Sequence, residues 1–229
     1  MKLIQSLQEL IEDSEMYLDQ LLLEEKMIKI EVKLINTNES ATLTIGDDLT
    51  VEEGSHNPDL ELTMSSETLN KILEGDSDFG ALIGRSKLSD SRPINIEIKK
   101  QEKKPDAIKV LYSLMTLFFT AGKLKAKKLD KQLAGEAHGA HPIPLVYWDG
   151  VRYAWYHIEK SETFNEAGEV DPYPQVFMII KGEGKAIIGD TQVDLSPSMA
   201  VYVPINTVHR IVAIKDLELT WVAWKSKLI

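Results

Sequence analysis

The chain has 229 residues, 43% of them hydrophobic and 27% charged, with a net charge of −10 and no cysteine. That length can bury two cores, and the balance of apolar to charged residues excludes a disordered chain. The lack of cysteine excludes a disulfide framework, a thiol nucleophile and a cysteine-ligated zinc site. No apolar run approaches the roughly 20 residues that span a bilayer. The opening stretch MKLIQSLQELIEDSE is too acidic, and its apolar residues too interrupted, for a secretory leader. A cytoplasmic protein is expected.

Charge is spread unevenly. Residues 1–90 carry 7 basic and 20 acidic groups, residues 91–131 carry 11 and 4, and residues 132–229 carry 8 and 12. The middle stretch holds Lys99, Lys100, Lys103, Lys104, Lys109, Lys123, Lys125, Lys127, Lys128 and Lys131. It suits transient contact with anionic lipid headgroups. The plainer reading is a solvated helix face and a lysine-rich linker. The acidic total argues against nucleic acid as a partner.

Leu3, Ile4, Leu7, Leu10, Ile11, Leu18, Leu21 and Leu22 recur at helical spacing and predict an amphipathic helix over 3–25. Period-two alternation follows in 28–35 and 41–46, with further short strands at 49–54 and 59–64. These read as consecutive antiparallel strands, with turns at 36–38, 46–48 and 54–55. Ser65 or Ser66 caps a helix whose apolar face runs from Thr68 to Leu73, and Gly75 ends it. A short helix from Phe79 to Ile83, ended by Gly84, and a strand over 94–98 come next. Pro105 then opens a last helix. It bears Ile108, Val110, Leu111, Leu114, Met115, Leu117, Phe118 and Phe119, more apolar circumference than a surface stripe needs.

The order helix, four strands, helix pair, strand and apolar helix, with the stretch PDLELTMSSETLNKILEGDSDFGALIGRSKL, resembles the sterol carrier protein 2 family over roughly residues 1–121. Ser89-Asp90-Ser91 stands where that family usually has Gly-Asp. The resemblance implies an α+β domain, a five-stranded sheet covered by helices, with an apolar tunnel for an acyl chain or sterol-like lipid. Phe79, Leu82, Ile83, Leu111, Leu114, Met115, Phe118 and Phe119 are the candidate lining. The same residues also read as ordinary core or as a dimer interface. A ligand held there would bind through burial of apolar surface, at roughly 25 cal/mol per Å² before ordering costs.

From Leu145 onward strand follows strand: LVYW, RYAWYHI, QVFMIIKG, KAIIGD, TQVDL, AVYVP, HRIVAI and LELTWVAW. Eight short strands with regular turns mean an all-β sandwich or barrel. Residues 175–209 resemble the cupin family, whose motifs run G-x5-H-x-H-x3/4-E-x6-G and G-x5-P-x-G-x2-H-x3-N. Gly182, Pro204 and His209 match. Gln175 stands for the family's glutamate, Ser198 and Asn206 for its glycines, and Ala213 for its asparagine. The two family histidines fall at Gly168 and Val170, or one residue later at Glu169 and Asp171.

The resemblance implies a jelly-roll barrel in which His209 is the one retained metal ligand. A cupin metal needs several imidazole or carboxylate ligands, so no cofactor is expected. Glu169, Asp171 and His209 remain the candidate set for a divalent metal. The other use of the barrel is a small-molecule pocket, with Tyr153, Trp155, Tyr173, Gln175, Tyr202 and His209 offering polar tips on aromatic bodies. Barrel packing is the plainer reading of those aromatics. His138 and His141 could chelate a metal only on a helix, which Gly139 and Pro142 oppose, so both read as linker. His56 reads as a surface residue, and His157 as a strand residue facing either side.

The expected organisation is a lipid-binding domain over 1–121, a lysine-rich helical tail and linker over 122–142, and a barrel over 143–229. The expected function is binding of a lipid or other small hydrophobic ligand, joined to a small-molecule-binding or dimerising barrel, in a homodimer. The alternatives are a metal-dependent cupin enzyme of isomerase or dioxygenase type with a lipid-binding accessory domain, and a non-catalytic scaffold.

Overall fold

The computed structural model of the protein describes residues 2–21, 26–83, 93–148 and 150–225. The described residues up to 128 pack as one compact unit and those from 129 as a second. Leu22, Gly84 and Ser89-Asp90-Ser91, named above, lie outside the described residues. No described helix is long and apolar enough to cross a membrane.

In the first unit, helix α1 (Leu3–Asp13) buries Leu3, Leu7 and Leu10, the stripe its spacing predicts. The single helix expected over 3–25 is broken. The hydroxyl of buried Ser14 donates to the Leu10 carbonyl at 2.7 Å, a back-bond that competes with the helical ladder. A 3-10 turn and a short second helix, α2 (Leu18–Leu21), follow.

Strands β1 (Ile28–Leu34), β2 (Ser40–Ile45), β3 (Leu49–Glu53), β4 (Leu60–Met64) and β5 (Ile94–Ile98) form one sheet in the order β3-β2-β1-β4-β5. The expectation of consecutive antiparallel strands fails at β4, which lies parallel to β1 with Ile30 opposite Leu60. Alternation in a sequence tells which side chains share a face, not which strand is the neighbour.

Asp59 anchors that crossover. Its backbone N–H donates to the Lys29 carbonyl at 2.7 Å. Its buried carboxylate accepts from the Lys29 N–H at 2.9 Å, from Lys100 at 2.8 Å and from Lys103 at 3.1 Å. Burial alone would raise the pKa of Asp59, but these donors outweigh it and hold the group below the ordinary carboxylate value.

Helix α3 (Ser66–Leu73) is capped by Ser65, whose hydroxyl accepts from the Thr68 N–H at 3.1 Å. Helix α4 (Phe79–Ile83) follows, and α5 (Lys104–Ser113) runs on into a π-helical turn, Leu114–Phe118. Phe79 stacks on Phe119 with ring centroids 3.9 Å apart, and Phe118 meets Phe119 edge-on.

The helical tail expected after residue 121 does not form. The helix ends at Phe118 with Phe119 as its C-cap, Gly122 lies beyond it at φ +89°, and a single 3-10 turn (Lys131–Leu133) is the next helical element among the described residues. Lys125 donates to the Thr120 carbonyl at 2.7 Å and Lys127 to the Met115 carbonyl at 3.1 Å. They satisfy carbonyls at the end of the preceding helix. Lys127 also sits on Asp78, and other lysines of the basic stretch sit on carboxylates, Lys99 on Glu97 and Glu61 and Lys131 on Glu159.

The second unit is two facing sheets. One orders β11 (Thr191–Leu195), β10 (Gly184–Ile188), β13 (His209–Ala213) and β8 (Thr163–Phe164). The other orders β12 (Ala200–Val203), β9 (Gln175–Lys181), β14 (Leu217–Trp224), β7 (Val151–Ile158) and β6 (His141–Trp148). Phe177, Ile179, Ile211, Leu217, Leu219 and Ala186 fill the space between them. The eight expected strands form, and the short β8 joins them.

Strand β6 begins at His141, inside the stretch read as linker. Its prolines, Pro142 and Pro144, are tolerated because β6 is an edge strand. Gly182, one of the family-like positions, has a physical reason. It lies at φ +89°, and a Cβ there would overlap the Asp216 carbonyl.

Candidate functional site

A cavity of about 170 Å³ opens in the second unit. Strand alternation sets its lining. On β7, Arg152 and Tyr156 line the cavity, with Ala154 and Ile158 on the same side of the strand in the core. Tyr147 of β6, opposite Arg152 in the ladder, also lines it. Gln175 opens β9, Trp221 comes from β14, and His209 begins β13. Phe164, Asn165, Glu169, Val170 and Asp171 reach it from β8 and the loop that follows, and His138 from the turn before β6.

Asn165 fixes that loop. Its buried amide donates to the Glu169 and His209 carbonyls, each at 2.8 Å, and its Oδ1 accepts from the Glu169 N–H at 3.0 Å. It sits at φ +57°, a left-handed position that asparagine tolerates better than most residues. From the far side, the Asn206 N–H donates to the Asp171 carbonyl at 2.8 Å.

Gln175 is 2% exposed. The indole N–H of Trp221 donates to its Oε1 at 2.8 Å. An indole nitrogen is a donor only, so this bond orients the amide, with Oε1 toward Trp221 and the NH₂ as its donor end. His209 is 5% exposed, packed beside Phe164 and Phe177. Its Nδ1 lies 3.1 Å from the Thr207 carbonyl, which can only accept, so Nδ1 carries the proton and neutral Nε2 is an acceptor. Burial holds this imidazole below its usual pKa, against the opposing pull of Thr207 and the Asp171 charge.

Burial likewise pushes the Tyr156 phenol well above its usual pKa, with Tyr147 adding to the shift, so it stays a neutral hydroxyl. Arg152 is the cation of the site. Its guanidinium lies 5.2 Å from the Tyr173 ring centroid and 3.7 Å from Asp171 Oδ2. Glu169 lies 3.3 Å from His138 Nδ1.

Of the barrel candidates, Gln175 and His209 line the cavity. Tyr173 stands behind Arg152. Tyr153 and Trp155 alternate with Arg152 and Tyr156, so they belong to the opposite face of the sheet. Tyr202 is 69% exposed on β12. A shift of one residue in phase exchanges the two faces of a strand, and reading β7 from its aromatic residues takes the wrong phase. Arg152, a charge inside a strand that also carries inward Ala154 and Ile158, was the available signal. Asn165 and Trp221 carry no comparable signal, because their roles depend on partners 44 and 46 residues away.

The candidate metal set does not assemble. Among the described residues, Glu169, Asp171 and His209 do not form a trio whose ligand atoms lie close enough to share an ion. At the position of the family's glutamate, the Gln175 oxygen is already engaged by Trp221. The donor set therefore does not fit a cupin metal. Of the lipid-cavity candidates, Phe79, Ile83, Leu111, Leu114, Met115, Phe118 and Phe119 are buried together in the first unit, and Leu82 is half-buried.

Two facing antiparallel sheets enclosing a polar cavity define a small barrel. Residues 155–225 match the model of the cupin domain, so the second unit carries a cupin domain. Solved structures similar to the chain include a cupin 2 conserved barrel domain protein from Salinispora arenicola. It is 14% identical with a TM-score of 0.40, and the match covers 45% of this chain and 90% of that one. A cupin superfamily protein from Desulfitobacterium hafniense is 17% identical with a TM-score of 0.36, covering 45% and 85%. An RmlC-like cupin from Shewanella frigidimarina is 15% identical with a TM-score of 0.35, covering 40% and 80%. No curated protein matches the chain.

Proposed function

We propose that the cupin barrel is a binding site for a small polar organic molecule, held without a metal. The guest places a carbonyl or carboxylate oxygen on the Gln175 amide and an acidic group at Arg152, with its body against Tyr156, Phe164 and Trp221. The observation that carries this reading is the Trp221–Gln175 hydrogen bond, which engages the side-chain oxygen standing where the family's glutamate would face a metal. An isomerase or dioxygenase mechanism built on a barrel metal has no comparable support in this donor set.

The test is thermal unfolding of the full chain, followed by tryptophan fluorescence, across small carboxylates and keto acids. A binder raises the midpoint by mass action, and Arg152→Ala abolishes the rise. A panel of such acids that leaves the midpoint unmoved counts against the reading.

For the first unit we propose an acyl or sterol-like ligand, as its resemblance to the sterol carrier protein 2 family implies. The π-helical turn at Leu114–Phe118 favours it, since such turns recur at functional sites and this one carries Leu114, Met115 and Phe118. Native mass spectrometry of freshly purified protein should show a co-purifying lipid. Its absence, with no saturable binding of a fluorescent fatty acid, would sink this part.

A further inference from the structure

We propose that the second unit holds a zinc ion outside the barrel cavity, on His141, Glu159 and Glu162. His141 is the first residue of edge strand β6. Glu159 directly follows β7 and Glu162 directly precedes β8, so one tight turn carries both acids. That turn is closed from both sides. The Glu162 N–H donates to the Glu159 carbonyl at 2.9 Å, and the Glu159 N–H donates to Glu162 Oε2 at 2.7 Å. The carboxylate of Glu162 is thereby oriented before any ion arrives.

His141 Nε2 lies 3.7 Å from Glu159 Oε1 and 3.7 Å from Glu162 Oε2. Both distances are too long for hydrogen bonds. Two ligands about 2.1 Å from a tetrahedral zinc stand about 3.4 Å apart, so a small inward movement of each side chain closes the site. All three ligand atoms lie within 4.8 Å of one another. His141 Nε2 is also buried and without a hydrogen-bond partner, the kind of buried polar atom that calls for an ion or a water. One imidazole with two carboxylates suits zinc, whereas calcium and magnesium prefer oxygen alone.

Lys131 competes for this site. Its ammonium group sits on Glu159 Oε1, so an ion must displace it to use that oxygen. The His157 ring, opposite His141 in the ladder, lies 6.2 Å from the His141 ring. Zinc would take the place of the lysine at Glu159 and leave a fourth coordination position to water.

Isothermal titration of the full chain with zinc chloride tests the site. One equivalent is expected to bind wild type. Affinity should fall at least tenfold in His141→Ala and in Glu162→Gln, a near-isosteric change that far-UV circular dichroism can confirm as folded. Lys131→Met should bind several-fold more tightly, because the competing ammonium is gone. Gln175→Ala and His209→Ala, both in the barrel cavity, should bind as wild type does. The inference is overturned if wild type takes up no zinc, if His141→Ala and Glu162→Gln retain full affinity, or if binding is lost in His209→Ala instead.

Discussion

The indole N–H of Trp221 donates to Gln175 Oε1 at 2.8 Å, joining β14 to β9 on the wall of the barrel cavity. The bond gives the amide a single useful orientation and converts a potential metal ligand into a donor. Gln175→Leu removes the acceptor and leaves a buried indole N–H without a partner, which should cost ~2 kcal/mol. Urea unfolding followed by tryptophan fluorescence measures it. All four tryptophans, Trp148, Trp155, Trp221 and Trp224, lie in the second unit, so the signal reports that unit alone. A change below about 0.5 kcal/mol would mean the bond contributes little.

Asn165 ties the 165–169 loop to β13 through its side-chain amide. Asn165→Ala deletes three hydrogen bonds and places a less suitable residue at φ +57°. The expected result is a second unit less stable by ~2 kcal/mol, with faster proteolysis in the loop. Asn165→Gly keeps the backbone freedom but not the bonds. Limited proteolysis of the two variants side by side separates these effects: equal cutting shows that the hydrogen bonds dominate.

His209 should titrate below its usual value, in the direction that its burial dictates. The folded state then binds fewer protons than the unfolded state below about pH 6.5. Its stabilising contribution is complete above that pH and is lost as pH falls through the unfolded value toward the folded one. Two-dimensional NMR of the imidazoles gives the titration directly. An ordinary or raised His209 value would contradict the burial seen here.

Asp59 behaves in the corresponding way for an acid. Its depressed pKa makes its contribution complete above the unfolded value near about 4, and acidification through the folded value removes it. Asp59→Asn should destabilise the first unit by ~2 kcal/mol, through weaker bonds to Lys100, Lys103 and the Lys29 N–H. Amide exchange in β1 and β4 reads this out, with the largest loss of protection beside Lys29.

Much of the architecture can be read from periodicity. The α1 stripe, the Ser65 cap and the strands of the three sheets, β8 aside, each rest on local rules of spacing. What stayed hidden depended on neighbours distant in the sequence. The parallel pairing of β4 with β1 is tied by Asp59, whose partners Lys29, Lys100 and Lys103 lie 30 to 44 residues away. The start of β6 at His141 is masked by two prolines that only an edge strand accepts. The cavity was legible at Gln175 and His209 through the family pattern, but Arg152, Asn165 and Trp221 acquire their roles from partners on other strands.

The most direct test of the account is calorimetric titration of the best-binding small carboxylate into the full chain, with and without a chelator. The account predicts the same stoichiometry and affinity in both conditions, and loss of binding in Arg152→Ala and Gln175→Leu. Binding that disappears with the chelator, or survives both substitutions, would contradict a metal-free site built on the Trp221–Gln175 pair.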